Sequence, residues 1–266
     1  MCTKTSLVIF FTKSYIGSDT IELTLETIKM DLDILINSKK VSVTLDEKDI
    51  YALTRRVECQ SLSPLSTFRK MAHEQTIEFI KNNMDLEKVL LFETGEDNLL
   101  HCVKQAKEQG LFLEFGVFKG KSINKIAKLR SKNKIYGFDS FEGLPEAWDG
   151  YCVNEGYFAT ELPEVKENVE LIKGYFNTTL PLFLNTHSDK ISFMHIDCDL
   201  YSSTKIVLEL TKERLQSGTI IVFDEYFNYP NWQNHEHKAF SEFCEKFSVK
   251  FDYISIGHQQ LGVRIL

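Results

Sequence analysis

The sequence predicts a doubly wound α/β fold. The expected core is a seven-stranded, mostly parallel sheet with helices on both faces and a reversed last strand, preceded by a largely helical N-terminal extension. Three observations predict it. From Leu111 onward, short apolar runs alternate with stretches of helical spacing, the beat of a parallel sheet wound by crossover helices. Acidic residues recur where those runs end, as when a site is built at the carboxyl ends of strands. The last two runs are joined by only Gly257-His258-Gln259-Gln260-Leu261, too short for a parallel crossover, so that pair must be antiparallel.

The elements follow in order. Residues 1–98 read as an extension, with a short strand over Leu7–Phe11. Leu32, Ile34 and Ile36 are compatible with helix or strand. A helix spans Ser66–Asn82, with Phe68, Met71, Ile77 and Ile80 at helical spacing after Ser63-Pro64. The extension reads as packing on the core, as a lid, or as an oligomer contact that would make the protein a homo-oligomer. The catalytic domain is placed at 99–266. It starts with a helix over Leu99–Glu108 that Gly110 stops. Strands are expected at Leu111–Gly116, Lys134–Asp139, Val169–Phe176, Ile191–Asp197, Thr219–Asp224, Lys250–Ile256 and Gly262–Leu266. Helices are expected at Ser122–Arg130, Asn177–Asn185 (with Pro181 in its first turn or at a break), Ser202–Gln216 and His235–Phe247.

Bulk properties narrow the function classes. A net charge of −7 argues against a large nucleic-acid footprint, which needs a basic face. The six cysteines, at 2, 59, 102, 152, 198 and 244, form no C-x-x-C pair and read as reduced thiols. No stretch has the length and apolarity of a signal-peptide core or a membrane span. A cytoplasmic protein without membrane or nucleic-acid partners is expected.

Leu111–Gly120, LFLEFGVFKG, is the stretch around which the chemistry is organised. A buried strand breaks at Gly116 and turns into a helix from Lys121. Such a loop exposes backbone N–H groups, and glycines let a ligand approach them. Asp139 follows Gly116 at the interval of an acid that binds ribose hydroxyls, which suggests an adenosine-type cofactor. Asp197-x-Asp199 and Asp224-Glu225 end neighbouring strands. Hard oxygen ligands so placed suit Mg²⁺, which lowers the pKa of a bound hydroxyl, while a spare carboxylate accepts the proton. The alternative is that these acids cap the helix starting near Ser202. Phe227–Trp232 reads equally as an acceptor-stacking loop or as packing. His235-Glu236-His237 reads as surface residues in a first helical turn, because adjacent residues point to different sides. His195 reads as a hydrogen-bonded core residue.

Taken together, EFGVFKGKS, YGFDSFEGLP, IKGYFNTTLP, HIDCDLYSST and IVFDEY resemble the ordered blocks of the macrocin O-methyltransferase (TylF-type) family over about Leu111–Tyr226. Those enzymes use S-adenosylmethionine to methylate sugar hydroxyls of natural products, on a Rossmann-like sheet. The resemblance implies that Glu114, Gly116 and Gly120 frame the methionine end of the cofactor, with Ser122 nearby. It implies Asp139 on the ribose diol with Ser140 beside it, and Gly174 and Phe176 near the adenine. Asp197, Asp224 and Glu225 would hold Mg²⁺, with Asp199 as general base. The acceptor would be a sugar or glycoside hydroxyl of a small molecule. Glu225 stands where a second Asp is usual, and Ser202 where an acid is usual. Three other readings stay open: a nicotinamide oxidoreductase built on Tyr201-x-x-x-Lys205, a metal-dependent glycosyl- or phosphotransferase built on Asp197-x-Asp199, and a cofactor-binding protein without catalysis.

Overall fold

The computed structural model describes residues 30–36, 39–45 and 63–266. The strand expected at Leu7–Phe11, and Cys2 and Cys59, lie outside the described residues. The chain divides into two compact units, Met1–Thr67 and Phe68–Leu266.

In the first unit, β1 (Met30–Ile36) and β2 (Lys39–Leu45) form an antiparallel hairpin with Met30 opposite Leu45 and Ile36 opposite Lys39. The segment that sequence left open between helix and strand is therefore a strand. Residues 1–98, expected to be largely helical, contribute this hairpin as well as the helix α1 (Pro64–Asn83), most of which belongs to the second unit and whose start is capped by Ser63 Oγ accepting from Ser66 N–H at 3.1 Å.

The second unit carries β3 (Leu90–Phe92), α2 (Gly95–Gln105), β4 (Leu111–Phe115), α3 (Lys121–Leu129), β5 (Ile135–Asp139), β6 (Val169–Lys173), α4 (Phe176–Thr186), β7 (Ile191–Ile196), α5 (Tyr201–Thr211), β8 (Ile220–Phe223), α6 (Glu236–Phe247), β9 (Phe251–Gly257) and β10 (Gln260–Ile265). The eight strands lie in the order β3-β9-β10-β8-β7-β4-β5-β6. All neighbours pair in parallel except β10, which runs against both β8 and β9. The reversed last strand is as expected from its short connection.

Two elements differ from the expectation. The sheet has an eighth strand, β3, paired with β9 at the edge; it is three residues long, with Leu90 and Leu91 half exposed or more, so no alternation announces it. The sixth strand ends at Lys173, and Tyr175 and Phe176 belong to the start of α4, whose interior takes Pro181.

Strands near the middle are buried on both faces. Leu111, Leu113 and Phe115 of β4 join one apolar core and Phe112 the other, and Ile221 and Phe223 of β8 divide from Ile220 and Val222 in the same way. α1, α4, α5 and α6 cover the first core; α2 and α3 cover the second. Each large side chain so buried contributes about 1.5–3 kcal/mol. The chain runs outward from β4 through β5 to β6, then returns to the other flank of β4 as β7. That reversal of direction leaves a crevice above β4 and β7.

Candidate active site

The crevice is a cavity of about 670 Å³ at the carboxyl ends of β4, β5 and β7. Gly116 makes it possible. Its φ is +91°, and a Cβ there would stand 1.7 Å from the backbone oxygen of Asp197, so only glycine lets the two strand ends abut. Phe118, Phe141 and Asp199 follow three successive rim strands and all adopt positive φ, at 48°, 57° and 64°. Such backbone costs about 1–3 kcal/mol per residue and clusters at functional sites.

On the β4–β5 side the acids are already engaged. Asp139 Oδ2 accepts from the N–H groups of Val117 and Phe118, both at 2.8 Å, and Oδ1 accepts from Phe141 N–H at 2.7 Å. The carboxylate clasps the loop after β4 while facing the cavity, and its remaining lone pairs stay available. Ser140, which accepts from Glu142 N–H at 3.1 Å, also lines the cavity, as do Gly174 and Phe176. Glu114, Gly120 and Ser122 do not line it. Glu114 is fully buried in β4, and Ser122 Oγ donates to its Oε1 at 2.7 Å.

On the β7–β8 side the acids crowd one another. Asp197, Asp199 and Glu225 each bring a carboxylate oxygen within 4.8 Å of the others, and Asp197 and Asp224 do the same with a ring nitrogen of His195. The three predicted ligands do not fall in one group: Asp197 and Glu225 meet with Asp199, the expected base, while Asp224 meets Asp197 on the His195 side and is not on the cavity wall. Two ionised carboxylates about 4 Å apart repel by about 4 kcal/mol at an effective dielectric of about 20. Burial, then the charge of Asp224, pushes Asp197 and Glu225 well above the usual carboxylate range and Asp199 to about 7. Asp224 is the exception. Burial opposes its ionisation, yet the bond from His195 and the imidazole's charge outweigh it and hold Asp224 low. Glu225 Oε2 is buried and without a partner. An all-oxygen donor set with mutual repulsion and an orphaned oxygen fits a hard divalent cation.

Several alternatives are decided by position. None of these acids is the N-cap of α5: Leu200 stands there, without a side-chain cap hydrogen bond, and Asp199 directly precedes it. Tyr201 OH donates to Glu242 at 2.6 Å and receives Lys205 Nζ at 3.0 Å; neither residue lines the cavity, so the dehydrogenase-like pair lies away from it. Phe227, Tyr229 and Trp232 are buried to within 2% and serve packing. His235 and Glu236 are buried, not surface residues as the sequence suggested. Glu236 accepts from Glu225 N–H at 3.3 Å, and His235 Nε2 lies 2.7 Å from Asp149 Oδ1. His195 is a buried, hydrogen-bonded strand residue, as its position suggested, but its partner is Asp224 of the rim, at 3.3 Å.

Beyond Ser140, the sequence assigned no role to the segment between β5 and β6. It supplies Gly143, Leu144, Pro145, Glu146 and Phe158 to the cavity wall and is tied by an isolated bridge, Trp148–Val153. Its only advance signal was the block FEGLP following Asp139. Among the described residues, no helix is long and apolar enough to cross a membrane.

Residues 113–226 match the family described as "Methyltransferase domain". The chain is 31% identical over 157 residues to 8-demethyl-8-(2,3-dimethoxy-alpha-L-rhamnosyl)-tetracenomycin-C 4'-O-methyltransferase of Streptomyces olivaceus, a match covering 49% of this chain and 59% of the relative. It is 24% identical over 188 residues to demethyldecarbamoylnovobiocin O-methyltransferase of Streptomyces niveus, covering 60% of this chain and 69% of that protein. Among solved structures, the calicheamicin methyltransferase CalS11 superposes with a TM-score of 0.54 at 23% identity, over 84% of this chain and 94% of that one. The O-methyltransferase NovP superposes at 0.52 and 20% identity, over 64% and 78%. These likenesses establish the Rossmann-like fold.

Proposed function

We propose that this chain is an S-adenosylmethionine-dependent O-methyltransferase of the macrocin (TylF-type) kind, assisted by Mg²⁺ and acting on a sugar or glycoside hydroxyl of a small molecule. The observation that carries the reading is one cavity at the switch point with a clasped acid, Asp139, on one side and the crowded acids of β7 and β8 on the other. The named sugar O-methyltransferase among its relatives supports the choice of acceptor. The division into an extension over 1–98 and a catalytic domain over 99–266 is part of the same proposal.

When bound, S-adenosylmethionine supplies the electrophilic methyl group, and Mg²⁺ lowers the pKa of the hydroxyl it holds. The chain's own residues do the rest. Asp139 and Ser140 would hold the ribose, Gly174 and Phe176 would flank the adenine, and Gly116 would leave room for the methionine end, while Gly120, off the cavity wall at φ +75°, turns the chain into α3. Glu114 and Ser122, being outside the cavity wall, brace that loop from beneath. Asp197, Asp224 and Glu225 would hold the cation, Asp197 being the acid that both clusters share. Asp199, turned into the cavity by its left-handed backbone, takes the acceptor's proton. Holding both reactants in one crevice removes most of the entropic barrier to in-line transfer.

Thermal melts test the cofactor assignment. S-Adenosylhomocysteine at about 100 times its dissociation constant should add about 2.7 kcal/mol of stability, and NADP should add none. Asp139→Ala should abolish that gain. A flat melting curve with S-adenosylhomocysteine would sink the assignment.

A further inference from the structure

Behind the rim lies a chain of buried polar side chains that no ligand contact explains. Gln260 starts the reversed strand β10, and its Nε2 donates to Asp224 Oδ1. Asn98 of α2, fully buried, donates from Nδ2 to Gln260 Oε1 at 3.2 Å. His195 Nε2 approaches the same Asp224 Oδ1 at 3.3 Å, and its Nδ1 faces Glu114 Oε2 at 3.6 Å. Residues of β10 and β7 thus meet at one carboxylate oxygen, each backed by a further side chain, from α2 and β4 respectively.

The polarity of this chain is fixed at one end. An ionised carboxylate only accepts hydrogen bonds. Gln260 must therefore turn its NH₂ group to Asp224 and its carbonyl outward, and Asn98 must turn its NH₂ group to that carbonyl. The backbone makes room for it. At Gly95 an added Cβ would stand 2.9 Å from Gln260 Cδ and 3.0 Å from its Nε2, so the first residue of α2 is one that leaves Gln260 in place. Two nitrogens on Oδ1 commit that oxygen and set the rotation of the carboxylate, which leaves Oδ2 as the oxygen presented to a cation.

We infer that Gln260, held by Asn98, and His195 are positioning residues for the cation site, fixing which oxygen Asp224 offers. The inference rests on the Mg²⁺ part of the proposed function. Partners behind a metal ligand orient it, and their loss costs about 10–100-fold in metal affinity. The reversed strand has a function here: running against its neighbours, it brings its first residue, not its last, to the rim.

The test uses the full chain and Mn²⁺ as the probe, followed by electron paramagnetic resonance, with S-adenosylhomocysteine binding measured in parallel by calorimetry. Gln260→Met keeps the side chain's length and removes the donor. It should weaken Mn²⁺ binding about 10–100-fold while S-adenosylhomocysteine affinity stays within twofold. Gly95→Ala keeps every polar group and crowds Gln260; it should weaken Mn²⁺ binding in the same direction, which covers the case that Gln260→Met misfolds. Loss of both affinities together would indicate a merely structural role and overturn the inference. So would Mn²⁺ affinity within twofold of wild type in both variants. If the wild-type chain binds no Mn²⁺, the cation site and this role fall together, while retained S-adenosylhomocysteine binding would leave the methyl-transfer reading standing.

Discussion

The two sides of the cavity hold the same functional group in opposite conditions. On the β4–β5 side, Asp139 has three backbone N–H donors and Glu114 has a serine hydroxyl. On the β7–β8 side, Asp197 and Glu225 face other acids, and one buried oxygen of Glu225 has no partner. At Asp139 the first arrangement is complete: both carboxylate oxygens bind the loop together and present a finished surface, while Glu114, off the cavity wall, keeps Oε2 unpartnered 3.6 Å from His195 Nδ1. The second is incomplete: burial and then the charge of Asp224 make Asp197, Asp199 and Glu225 harder to ionise, and only Asp224, bonded by His195, is held low. A finished surface suits a cofactor that must be held the same way each cycle. A surface short of positive charge suits a cation and a migrating proton.

Three substitutions would break or sharpen that contrast. The largest effect is expected at Asp199→Asn, which keeps size and removes the proton acceptor. Turnover should fall about 100- to 10,000-fold with S-adenosylhomocysteine binding unchanged by calorimetry; a fall of less than threefold would strike Asp199 from the mechanism. Next is Gly116→Ala, placed where the two sides meet. Its methyl group would overlap the Asp197 carbonyl, so denaturant unfolding should show a loss of about 3 kcal/mol, and an unchanged midpoint would mean the strand ends are not tightly abutted. The smallest is Ser122→Ala on the finished side. It leaves Glu114 Oε1 buried without its donor and should cost about 1–3 kcal/mol, seen as a lower urea midpoint at constant slope. A neutral result would show that the β4–β5 side is not held by its internal hydrogen bonds.

What could be read in the sequence follows the range of the interaction. Strands and helices from Leu111 onward announce themselves because burial on a sheet writes apolar runs into adjacent positions. The rim acids were visible for the same reason, each directly following such a run. β3 was missed because three residues at an exposed edge carry no period. The wall between β5 and β6 was missed because its shape comes from bonds such as Leu144 N–H to Tyr157 C=O, with no repeat to mark them. The partnership of Asn98 with Gln260 spans 162 positions, and nothing local to either residue points to the other. Burial of His235 and Glu236 was likewise hidden, since a polar tripeptide at a helix start reads as exposed until its neighbours are known.

The direction of β10 carries a consequence of its own. After β4, β6 and β7 the rim of the cavity is made of loops that lead into a helix, so altering one disturbs the packing of a helical layer. Between β9 and β10 the connection is a two-residue hairpin tip, His258-Gln259, and the Gln259 carbonyl accepts from the Tyr226 and Phe227 amides that follow β8. Lengthening or trading residues at that tip would shift the loop after β8 while both cores stay intact. Related enzymes with different acceptors would be expected to diverge at this hairpin before they diverge in the strands it joins.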